Sequence, residues 1–130
     1  EMCIRDSLED NARTIVGPVI SERCKPELRN HTIETAGILN KAGVPMCICT
    51  DHPVVPEQYL PLSAGLAVRG GLDRNEALKA ITIYPAQITG IADRVGSIEV
   101  GKDADIVIFS GDPLSVCDTP DMVIVNGTVI

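Results

Sequence analysis

The sequence predicts an α/β segment followed by an antiparallel β segment. Three observations carry this. A strand-like run, a helical stretch and a second strand-like run fill residues 14–49. Helical patterns broken by glycines fill residues 62–90. Two short β runs then flank Asn126-Gly127. In order, Thr14-Ile15-Val16-Gly17-Pro18-Val19-Ile20 reads as a short strand running into a Gly-Pro turn. Pro26 to Ala42 reads as helix, with Ile33, Ala36 and Leu39 spaced by three, Asn30 or Thr32 as cap and Gly43 as the residue past its end. Val44 to Cys49 is a continuous apolar run, as expected of a strand covered on both faces. Strand, helix, strand forms a crossover unit, so the two strands should be parallel.

A second helix is predicted over Leu62 to Arg69, stopped by Gly70-Gly71. Asp73 and Glu76 have the spacing of a capping box at the start of a third, which Pro85 limits; a short turn of helix covers Ala86 to Gly90. The pattern changes between residues 92 and 96. Ser97 to Val100 and Asp105 to Phe109 read as β runs, and Val123 to Val125 and Thr128 to Ile130 flank Asn126-Gly127, a strong short hairpin signal.

At 130 residues the chain can hold a genuine core, built from Ile, Val, Leu and Ala because only 2% of it is aromatic. Its net charge is −7 with scattered basic residues, which argues against a nucleic-acid partner. No apolar run reaches the roughly 20 residues of a membrane span. Five cysteines at irregular spacing do not make a disulfide framework. Reduced thiols in a cytoplasmic protein are expected, with Cys47 and Cys49 as small buried apolar groups.

The run Gly96 to Lys102 matches seven positions of a phosphate-binding loop. Asp103 stands where Ser or Thr should follow, and both flanks read as β, so the match is accidental. No serine-nucleophile elbow is present. His31, in a helical stretch among polar residues, reads as a surface histidine. Asp51 stands out: it follows the second strand at its carboxyl end, where parallel α/β folds bind ligands, and by the two-residue period it shares a face with Cys47 and Cys49. A carboxylate there can ligate a metal and carry a proton, or it can simply cap the loop amides. The residues alone leave those two readings even. His52 is expected on the opposite face, held extended by Pro53, with packing or substrate contact both open.

Glu1-Met2-Cys3-Ile4-Arg5-Asp6-Ser7 shows no pattern linking it to the residues after it. Back-translated as GAG-ATG-TGT-ATA-AGA-GAC-AGC, it reads as the end of a transposon adapter used in sequencing libraries. Residues 1–7 are therefore expected to be non-native, and the rest to be a fragment.

The order Gly43-Val44-Pro45, Thr50-Asp51-His52-Pro53, Glu76 to Thr82, Pro85-Ala86 and Gly96 to Asp105 resembles the carboxyl-terminal part of the metal-dependent amidohydrolases, nearest to the imidazolonepropionase-like branch. The resemblance covers the chain from about residue 14 onward; its most specific element is Gly96 to Val107. It implies that residues 8–93 are the end of a (β/α)8 barrel, with Thr14 to Ile20 as seventh strand and Val44 to Thr50 as eighth. It also implies that residues 94–130 are part of a small β-sandwich. By this likeness Asp51 is a metal ligand and the catalytic proton shuttle. It takes a proton from metal-activated water, and hydroxide attacks an amide or imide carbon before the proton passes to the leaving nitrogen. Zinc is the metal expected, with manganese and iron as alternatives. Two departures stand out: Tyr84 replaces an Asn found in many relatives, and the other metal ligands are absent from this sequence. The expectation is a fragment, inactive alone, of a hydrolase of non-peptide, cyclic amide carbon–nitrogen bonds in small molecules, with Lys25 and His52 as substrate contacts. A homo-oligomeric parent is left open. The alternative is a non-catalytic scaffold that kept the fold.

Overall fold

The computed structural model describes residues 2–23 and 25–130, and side chains from Asp6 onward apart from position 24. Helix α1 (Met2–Glu9) leads into strand β1 (Thr14–Val16). A 3-10 turn (Pro26–Leu28) and helix α2 (Thr35–Lys41) precede strand β2 (Met46–Ile48). Helices α3 (Leu60–Arg69), α4 (Arg74–Ala80) and α5 (Ile83–Thr89) come next, and strands β3 (Ile106–Ile108), β4 (Met122–Val125) and β5 (Thr128–Val129) end the chain. The expected segment of residues 1–7 falls partly outside the described residues; α1 runs across its boundary.

β1 and β2 pair in parallel with Thr14 opposite Met46 and Val16 opposite Ile48, so the crossover unit is as predicted. All three residues of β2 are buried, as its continuous apolar run requires. Around it pack Ala64 and Ala67 of α3 and Ala77 and Ala80 of α4, none with any exposed surface. Such small side chains let the helices approach closely, which is how a core almost without aromatics is filled. A Cβ on Gly37 would lie 3.0 Å from the backbone at Gly71 and Leu72, so the glycine sets the distance between α2 and the α3–α4 turn.

The helix predicted over residues 26–42 is instead a 3-10 turn and a separate α2. The chain makes a turn at residues 33–34 between them, and Glu34, not Asn30, occupies the N-cap position. Thr32 does bond the start of α2, accepting from the Glu34 amide at 3.3 Å through its hydroxyl. Past the helix, Gly43 has φ +79° and the amides of Gly43 and Val44 reach Asn40 O and Leu39 O. That is a Schellman ending, which favours glycine at its left-handed position.

Asp73 caps α4, its carboxylate accepting from the amides of Asn75 (2.8 Å) and Glu76 (3.1 Å). Replacing Asp73 by Ala should cost about 1 kcal/mol of stability, seen as a lower denaturant midpoint. The capping box is only half formed. Glu76 turns away, and its carboxylate accepts from Tyr84 OH at 2.6 Å, Lys79 Nζ at 2.9 Å and Asn40 Nδ2 at 3.3 Å. One acid thus joins α2, α4 and the start of α5. Tyr84 foremost, then Lys79, hold the Glu76 carboxyl below its ordinary value of 4.5. Tyr84→Phe should cost about 1 kcal/mol. Because the folded-state value is depressed, this stabilisation is full above pH 4.5 and is lost as pH falls through the folded-state value. Midpoints of the parent chain and the Tyr84→Phe variant measured against pH should therefore converge in acid.

Pro85 does not limit a helix; it lies within the first turn of α5, where its missing N–H breaks no intrahelical bond. Nor is Ser97 to Val100 a strand. Gly96 and Gly101 both have φ +95°. Lys102 Nζ, just past them, donates to Ser97 Oγ (2.6 Å), which in turn donates to Glu99 (2.5 Å), drawing the chain into a loop that leaves Ile98 and Val100 exposed. β3 pairs instead with β4, antiparallel, and β4 with β5 across Asn126-Gly127, whose φ values of +48° and +78° fit the predicted tight hairpin. The phosphate-loop match has neither a strand before it nor a helix after it.

Candidate active site

Both strands of the parallel sheet end in the same direction, and their carboxyl ends form a rim. β1 leaves through Gly17-Pro18 and β2 through Cys49-Thr50-Asp51. At this rim the strands come close enough that a Cβ on Gly17 would overlap the Cys49 carbonyl oxygen and lie 2.6 Å from its Sγ. The sequence pattern marks Gly17 only as a turn residue; its contact depends on the neighbouring strand, which no local pattern reveals.

Asp51 lies past β2, exposed, with φ +56°. The left-handed region is one that Asp enters more readily than most residues. It takes Asp51 off the extended backbone, so the two-residue period ends and does not place its side chain on the face of Cys47 and Cys49. Asp51 O accepts from the Val54 amide at 2.8 Å, which closes residues 51–54 into a turn. His52 is therefore a turn residue, exposed on the rim beside Asp51, and not an extended continuation of the strand. Lys25 is exposed in the loop after β1, its carbonyl accepting from the Leu28 amide at 3.0 Å. Asp51 and His52 thus share the turn that follows β2, while Lys25 lies in the loop that follows β1.

His31 is not the helical surface residue expected. It lies in irregular chain just past the turn at residues 29–30, half-buried, with Nε2 at 2.8 Å from Pro18 O. That contact ties the loop after β1 back to its start, and Arg23 Nε donates to His31 O at 3.1 Å in the same loop. Cys47 is buried, and burial first, with Cys49 second, pushes its thiol above the ordinary value, so it is an inert wall group. Cys47, Cys49 and Cys117 are free thiols; the side chains of Cys3 and Cys24 lie outside the described residues.

Among the described residues no three His, Cys, Asp or Glu side chains converge as metal ligands. A catalytic zinc takes three protein ligands, and this rim offers the Asp51 carboxylate. The described residues alone therefore do not fit a complete metal centre. The large cleft, about 850 Å³, lies at the opposite, amino ends of the strands, between Arg13, Val44 to Met46, Tyr84 and Gln87. Among the described residues no helix is long and apolar enough to cross a membrane.

A parallel strand pair with polar residues at the carboxyl ends is shared by barrel enzymes and open doubly wound sheets. The sequence profile of the amidohydrolase family matches residues 5–130, and the chain belongs to that family. An amidohydrolase of Thermotoga maritima has the same fold over 99% of this chain, with a TM-score of 0.94 and 37% identity; the match spans 34% of that protein. Amidohydrolase tasK of Hapsidospora irregularis is 35% identical over 104 residues, 80% of this chain and 11% of its own length. The imidazolonepropionase of Geobacillus kaustophilus is 46% identical over 72 residues, 53% of this chain and 17% of its own length. The chain thus spans about a third or less of these relatives. The resemblance to the imidazolonepropionase-like branch is borne out, and the fold is α/β of the TIM-barrel superfamily. The family is generally metal-dependent.

Proposed function

We propose that the chain is the carboxyl-terminal part of a metal-dependent hydrolase of carbon–nitrogen bonds other than ordinary peptide bonds, acting on a small, cyclic amide substrate. The observation that carries this reading is the position of Asp51: just past a buried parallel strand, exposed on the carboxyl rim and held in a closed turn. Membership of the amidohydrolase family supports the reaction class, and the imidazolonepropionases among its relatives support the cyclic amide. In this reading β1 and β2 are the seventh and eighth barrel strands, and residues 94–130 belong to a β-sandwich.

Asp51 would hold one position of a divalent metal, zinc first among candidates, and carry a proton between water and the leaving nitrogen. When bound, such a metal would supply a polarised carbonyl and an acidified water, and its further ligands would have to come from other parts of the protein. His52, beside Asp51, and Lys25, in the loop after β1, would meet the substrate. The whole protein would work in the cytoplasm on a small molecule, without nucleic acid or membrane as partner.

One consequence concerns the 130-residue chain by itself. With no group of three metal-ligating side chains among its described residues it should not turn over amide substrates, even with added zinc or manganese. The assay is release of amine or ring-opened product from a panel of cyclic and acyl amides. Turnover that tracks the purified chain would contradict the reading.

A further inference from the structure

We draw no further inference here: the strongest candidate, the cleft of about 850 Å³ between the residues leading into β1, the start of β2 and α5, lies at the amino ends of the two strands, and nothing in the structure shows what covers it.

Discussion

Replacing Gly17 by alanine should lower stability by about 1–3 kcal/mol, the usual cost of forcing extra volume into a packed site. The reason lies across the sheet. The added methyl would overlap the carbonyl oxygen of Cys49 and press on its sulfur, and a carbonyl bound into the chain cannot move aside as a flexible side chain can. Cys49→Ala should relieve the sulfur contact but not the oxygen, so the double variant should recover only part of the loss. Gly43→Ala makes a useful contrast. No atom lies within 4 Å of its added carbon, but its φ is +79°, so its cost of about 1 kcal/mol comes from backbone conformation alone. Denaturant midpoints would be measured in a chimera carrying residues 8–130 in place of the matching third of the Thermotoga maritima amidohydrolase. A Gly17→Ala midpoint equal to the parent's would mean that the strands do not meet so closely at the rim.

What was legible in the sequence was local. The continuous apolar run before Asp51, the Gly-terminated helices, the Asp73 cap and the Asn126-Gly127 hairpin each depend on residues within a few positions of one another, and each formed. What was missed depended on partners distant in sequence. Glu76 had the spacing of a capping box, but Tyr84 and Asn40 compete for its carboxylate, and only the packing of three helices brings them together. Ser97 to Val100 had the composition of a strand, yet two glycines in left-handed conformation and a bond network centred on Ser97 closed it into a loop. His31 read as a surface residue because its acceptor, Pro18 O, is 13 residues away.

The candidate site divides along the same line. Asp51 could be found, because a strand end followed by an acid is a local signal. The orientation of its side chain could not, since period-two reasoning stops where φ turns positive. Further metal ligands could not be found either, because no such group converges among the described residues.

The central claim is that Asp51 carries a proton and a metal-directed charge in carbon–nitrogen bond hydrolysis. Asp51→Asn tests it most cleanly. Asparagine is nearly the same size and suits φ +56°, as Asn11 and Asn126, at +50° and +48°, already illustrate. The turn to Val54 should survive, and the unfolding midpoint should stay within about 0.5 kcal/mol of the parent, as for surface changes that disturb no special feature. Only the negative charge and one carboxylate oxygen are lost. The decisive measurement is the metal-dependent turnover of the chimera and of its Asp51→Asn variant, assayed on cyclic amides. The account predicts metal-dependent turnover by the chimera and a kcat about 10²–10⁴-fold lower in the Asp51→Asn variant, the usual contribution of general acid–base groups. A folded Asp51→Asn chimera turning over as fast as its parent would contradict it.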